Sequence, residues 1–62
     1  MQTITKVALD AMGGDNAPVE IVKGAVDAVL SRDDIKVFLV GQEDAVRDEL
    51  NKYEYPKEQI EI

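Results

Sequence analysis

The sequence predicts an α/β fold built on a parallel sheet, and three observations carry that prediction. Two short apolar runs, Val7-Ala8-Leu9 and Val37-Phe38-Leu39-Val40, read as buried strands. Two longer segments repeat their apolar residues every three to four positions, as amphipathic helices do. A third, alternating segment opens at Gln59-Ile60-Glu61-Ile62, so the order is strand, helix, strand, helix, strand, the pattern of crossovers onto a parallel sheet.

Taken in order, the first run is continuous where a half-exposed hairpin strand would alternate, so it reads as a strand buried on both faces. Gly13 and Gly14 end it. Pro18 suits the first position of a helix, because it has no N–H to leave unpaired and its φ is preset. On that reading Ala17 is the cap, with Val22, Ala25, Val26 and Val29 as the buried stripe. Residues 31–34 are a polar break before the second strand, which Gly41 stops. In the second helix Val46, Leu50 and Tyr53 form the stripe, and Tyr55-Pro56 makes a turn into the third strand. The expected strand order is 3-2-1 or 2-1-3, with the glycine loop at the carboxyl edge of the sheet.

Size and composition narrow the function. A chain of 62 residues buries only about 60% of its unfolded surface, which makes it marginal as a free-standing domain. It has no cysteine to staple it and no histidine, so acid–base chemistry within it falls to carboxylates, lysines or tyrosines. A net charge of −6 argues against a nucleic-acid surface or a polybasic membrane patch. No apolar stretch approaches the eighteen or so residues of a membrane span, and the N-terminus lacks the features of a signal peptide, so a cytoplasmic location is expected. There is no internal repeat and no linker. The third strand has barely begun at Ile62, so residues 1–62 read as the N-terminal fragment of a single larger α/β domain.

The segment LDAMGGDNAPVEIV, residues 9–22, holds the chemistry. It joins the first strand to the first helix, the place in α/β units where ligands gather. Gly13 and Gly14 have two readings: a tight turn needing positive φ, or a cradle whose N–H groups face an anion beside the helix N-terminus. Asp15 and Asn16 have two as well, as side-chain caps for the first turn of the helix or as ligand contacts. Neither G-x-G-x-x-G nor a P-loop is present.

Charge sets a limit on the anion reading. A phosphate about 6 Å from a carboxylate is opposed by roughly 3 kcal/mol per charge pair at an effective dielectric of about 20. A helix N-terminus returns about 0.3–1 kcal/mol, rising to about 2 in favourable geometry. Beside Asp10 and Asp15 the loop alone cannot hold a phosphate. Lys6 lies about 13 Å back along the strand at ~3.3 Å per residue, and Lys23 is well inside the helix. Three possibilities stay open: further chain completes the site, the aspartates orient incoming basic groups, or a divalent metal sits between them.

The segment also resembles the N-terminus of a known family. The residues Asp10, Ala11, Met12, Gly13, Gly14 and Asp15, with Pro18, Glu20, Val22 and Gly24 at the following offsets, are similar to the pattern that opens the acyl-acyl-carrier-protein:phosphate acyltransferases of bacterial phospholipid synthesis, the PlsX family. The resemblance spans this chain but only the opening fraction of the family's length. It implies a Rossmann-like α/β fold of the isocitrate/isopropylmalate dehydrogenase type. It implies an enzyme moving a fatty acyl group from acyl carrier protein to inorganic phosphate, giving acyl phosphate. A homodimer, cytoplasmic and peripherally membrane-associated, is implied as well, with no redox cofactor and no metal.

On this resemblance Asp10 is the candidate catalytic residue, orienting or deprotonating phosphate, and Gly13, Gly14, Asp15 and Asn16 are the candidate phosphate-binding residues. Asn16 falls where the family's pattern is open. Two rival readings are an oxidoreductase of the isopropylmalate or isocitrate dehydrogenase type, which a nicotinamide titration would reveal, and a non-catalytic α/β interaction module. So small a sheet is expected to leave parts of both helix stripes uncovered. The isolated 62-residue chain should therefore lack a sharp, concentration-independent thermal transition, and a calorimetric scan at several concentrations checks this.

Overall fold

The computed structural model of the chain describes residues 3–62. Strand β1 (Thr5–Asp10) leads through a turn to helix α1 (Val19–Ser31), strand β2 (Ile35–Val40), helix α2 (Glu43–Leu50), a 3-10 turn over Lys57–Gln59, and strand β3 (Ile60–Glu61). The three strands form one sheet in the order β1-β2-β3, and both pairings are parallel. This is the expected 3-2-1 order. No helix among the described residues is long and apolar enough to cross a membrane.

The register decides which residues share a face. Thr5 pairs with Ile35 and the match runs without a bulge to Asp10 opposite Val40, while Val37 pairs with Ile60. Side chains alternate across a strand, so Val37, Leu39 and Ile60 point one way and Lys36, Phe38 and Val40 the other. The first set is buried. Against it lie Val22, Ala25, Val26 and Val29 of α1 and Val46 and Leu50 of α2, which with Ala11 make a single core. Two successive crossovers in the same direction put both helices over this face.

Three expectations need correction. β1 is not buried on both faces: only Leu9 is half-buried and the other five residues are exposed. The reason is position. β1 is an edge strand here, and α1 packs across β2 and β3, leaving the first strand little cover. The helix stripes, by contrast, are covered. The exposed large apolar side chains are instead Ile4, Val7, Met12, Val19, Leu30, Val40 and Ile62. The open face of the sheet carries Lys36, which pairs with Glu61 at 3.6 Å and lies 5.5 Å from the centre of the Phe38 ring.

The third correction is to the start of α1. Pro18 is the residue before the helix, with φ −87° and ψ 1°, and the first helical residue is Val19. The backbone already supplies acceptors for the first turn: Glu20 donates to the Asn16 carbonyl at 3.2 Å and Val22 to the Pro18 carbonyl at 2.9 Å. No side chain among the described residues caps this end. In α2 the helix ends at Leu50, yet Tyr53 still extends the stripe: it is half-buried against the core and its N–H donates to the Leu50 carbonyl.

The polar break between α1 and β2 is tied down from a distance. Arg32 forks onto Asp34 at 2.9 and 2.7 Å, and that hydrogen bonding holds the Asp34 carboxyl below the usual carboxylate range. The Gln59 side-chain amide then donates to the carbonyls of Arg32 and Ile35, both at 2.9 Å. A turn is thereby fixed by a residue more than twenty positions away. Losing both bonds in Gln59→Ala should cost about 1–2 kcal/mol, since each is worth about 0.5–1.5. Urea denaturation of the intact protein should show a lower midpoint at unchanged slope. Gln59→Glu, which keeps the size but turns a donor toward those carbonyls into an acceptor, should cost at least as much at neutral pH.

Candidate functional site

The loop between β1 and α1 begins where the strand ladder ends. Ala11 N–H donates to the Val40 carbonyl at 2.8 Å, one step past the last paired residue, and the Ala11 side chain is fully buried. Asp10 therefore sits on the carboxyl edge of the sheet with its position set by β2. Its side chain then turns back on the chain. Asp10 Oδ1 accepts the Met12 N–H at 3.0 Å, the self-bonding that aspartate favours in turns. The carboxylate is exposed, and its second oxygen accepts no hydrogen bond among the described residues.

The two glycines do different things. Gly14 has φ +92°, a conformation that side-chain-bearing residues rarely adopt, with open space around the position a Cβ would take. Gly13 has no positive φ. A Cβ there would lie 3.3 Å from Asp10 Oδ2, so its place close to the carboxylate is what favours glycine. The pair is thus a turn that needs glycine at 14 and a backbone left bare beside an acid at 13.

Asp10, Met12 and Gly13 are brought together by this turn, whereas Asp15 and Asn16 lie further along it, exposed, with no side-chain hydrogen bond among the described residues. Asn16 contributes through its backbone carbonyl, not as a side-chain cap. The N–H groups of Gly14, Asp15, Asn16 and Ala17 donate to no acceptor among the described residues, so four donors stand free just ahead of α1. Among the described residues neither Asp10 nor Asp15 forms an ion pair, and no three metal-ligating side chains converge. The loop thus offers hydrogen-bond donors and a carboxylate, with no paired cation among the described residues to offset a phosphate.

Two clefts lie elsewhere. One of about 590 Å³ is lined by Thr3, Val29, Leu30 and residues 31–34 at the opposite end of the sheet, and one of about 430 Å³ lies between α2 and β3 around Tyr55 and Ile60. Neither includes a residue of the loop 10–16. Spacing also missed Gly41, read only as the end of β2. A Cβ there would fall 2.7 Å from Met12 Cγ and 3.1 Å from its Sδ, so the residue after β2 leaves room for the loop after β1.

The glycines allow a paired measurement. Gly14→Ala should lower stability by about 1–2 kcal/mol through backbone strain alone, since nothing crowds its Cβ. Gly24, inside α1 with equally open surroundings and no positive φ, should do the reverse. Gly24→Ala should gain about 0.5–1 kcal/mol, the usual advantage of alanine in a helix interior. Denaturation midpoints of the two variants, opposite in sign about the parent, check this.

Comparison with known proteins bears on the same segment. The family described as "Fatty acid synthesis protein" matches residues 5–62. The chain is 49% identical over 55 residues to "Phosphate acyltransferase" of Clostridium beijerinckii, covering 89% of this chain and 16% of that protein. It is 51% identical over 57 residues to "Phosphate acyltransferase" of Alkaliphilus oremlandii and 53% identical over 57 residues to that of Dictyoglomus thermophilum, in each case 92% of this chain and 17% of the other. No solved structure matches. The chain spans about a sixth of the length of these relatives. With a parallel α/β unit whose first loop carries the DAMGGD residues, and a match over 5–62, the chain belongs to the fatty acid synthesis protein family.

Proposed function

We propose that the chain is the N-terminal segment of a larger, Rossmann-like α/β catalytic domain, and that the whole protein transfers a fatty acyl group from acyl carrier protein to inorganic phosphate. The observation that carries this reading is the kinship over residues 5–62 with proteins named phosphate acyltransferase. None of the relatives named above is an oxidoreductase, so the dehydrogenase reading is set aside. The protein works in the cytoplasm as a homodimer that associates peripherally with the membrane, where its acyl phosphate product is used.

The loop's part in such a reaction follows from what it offers. A phosphate oxygen attacks the thioester carbonyl, the tetrahedral intermediate collapses, and the carrier-protein thiolate leaves and takes up a proton. Phosphate must be held firmly with one oxygen free and aimed. The free N–H groups of Gly14, Asp15 and Asn16, beside Gly13 and the start of α1, can grip two oxygens. The second oxygen of Asp10 accepts the P–OH proton, either as a hydrogen-bond acceptor that aims the nucleophile or as its base. Asp15 orients basic groups from the remainder of the protein, which the charge arithmetic requires.

Asp10→Asn in the full-length protein is the test. Asparagine keeps the Oδ1 that accepts the Met12 N–H and replaces the free carboxylate oxygen with an amide nitrogen, so the turn survives and the charge does not. Turnover should fall about 10²-fold or more, the scale of general-base contributions, with the melting temperature little changed. Phosphate-dependent release of free carrier protein, read beside a melting curve, measures both. The Met12 bond also favours a second reading, in which Asp10 only braces the turn. Near-normal turnover in Asp10→Asn would establish that reading, and Asp10→Ala, which removes the bond as well, should then be the less stable variant by about 0.5–1 kcal/mol.

A further inference from the structure

On the reading of the chain as one segment of a larger α/β domain, we infer that the outer edge of β1 receives one further parallel strand of the same protein, reached from β3 by a crossover helix that lies on the open sheet face. The ladder defines what that edge offers. Thr5 N–H donates to the Asp34 carbonyl and Ala11 N–H to the Val40 carbonyl, so the odd-numbered residues of β1 face β2. Backbone groups alternate sides along a strand, and the N–H groups of Lys6, Ala8 and Asp10 therefore point outward, where no other strand of the described residues lies. The carbonyls of Lys6 and Ala8 point the same way. A strand left open in a finished protein is usually guarded by proline, a bulge or very short length. β1 has six residues, no proline and no bulge against β2.

The occupant follows from handedness. The connections from β1 to β2 and from β2 to β3 step in one direction across the sheet, and their helices pack on one face, over Val37, Leu39 and Ile60. A connection from β3 back to the free edge of β1 steps the other way, so the same right-handed rule lays its helix on the opposite face. That face is apolar and uncovered at its centre: Val40 is 61% exposed, Ala8 is exposed and Phe38 half-buried. One occupant thus accounts for both the bare edge and the bare face. A second copy of this chain paired edge to edge would keep its helices over its own β2 and β3, and an extended peptide would bring no helix, so either would leave Val40 open. The relatives named above are about six times as long as this chain, which is ample to supply a strand and its crossover. The new strand turns the rim beside Asp10 into a crevice between two strand ends, where α/β folds gather ligands. Its loop can there bring a cation to Asp10 and Asp15, which pair with none among the described residues.

Two measurements on the full-length protein test this. The first is amide hydrogen exchange resolved to single residues: the N–H groups of Lys6, Ala8 and Asp10 should exchange about a hundredfold or more slower than in the unfolded chain, as those of Val7 and Leu9 do through β2. The second is thiol labelling of Val40→Cys, which should react with a maleimide about tenfold or more slower in the native protein than in urea. Slow exchange together with slow labelling supports the inference. Fast exchange at Lys6, Ala8 and Asp10 beside slow exchange at Val7 and Leu9 leaves the edge open and overturns it. Slow exchange with fast labelling assigns the edge to a second copy or a bare peptide, and overturns it as well. Should Val40→Cys fail to fold, Ala8→Cys on the same face takes its place. Neither measurement reads turnover, so a negative result here is separate from the fate of the acyl-transfer reading, which Asp10→Asn decides.

Discussion

Everything near the candidate site depends on the in-register parallel pairing of β1 with β2. Six consecutive residue pairs, closed at one end by Thr5 N–H on the Asp34 carbonyl and at the other by Ala11 N–H on the Val40 carbonyl, leave β1 no freedom to slide. A slip of one residue would turn Leu9 out of the covered face and carry Asp10 to the wrong side of the sheet. Because β1 receives little cover from the helices, backbone pairing does for it what side-chain burial does for β2. The site is thus anchored on the least buried strand through the most buried one.

That arrangement explains how legible the chain was. The parallel sheet, both helices and the place of the Asp10–Gly14 turn follow from local pattern and turn chemistry, and these are written in neighbouring residues. Gly14 at φ +92° and Asp10 bonding two residues ahead are local features of this kind. Burial of β1 was misjudged because cover depends on where a strand lies in the sheet, and a run of Val, Ala and Leu reads the same at an edge as at the centre. Pro18 was placed one residue too far into α1 because the carbonyls of Asn16 and Pro18 already serve the first turn, which no side-chain preference announces.

The unread part of the site is long-range by nature. Gly41 meets Met12 across twenty-nine positions, and a glycine that merely follows a strand carries no mark of what it makes room for. The charge of the loop is legible in the same limited way: two acids beside free backbone donors can be seen, but not the groups that would balance an anion. Neither aspartate has an ion-pair partner among the described residues, so the charge of the turn is not offset within them.

The reach of Gln59 to the carbonyls of Arg32 and Ile35 has a consequence in time. During synthesis the bend between α1 and β2 emerges first, and the side chain that ties it arrives twenty-seven and twenty-four residues later. At roughly 5–20 residues per second, the nascent bend stays untied for on the order of one to five seconds. Helix formation takes about a microsecond or less and loop closure far less than a millisecond, so both helices have sampled their shape many times before the tie exists. The order of translation therefore makes the tying of this bend a late event, timed by the ribosome.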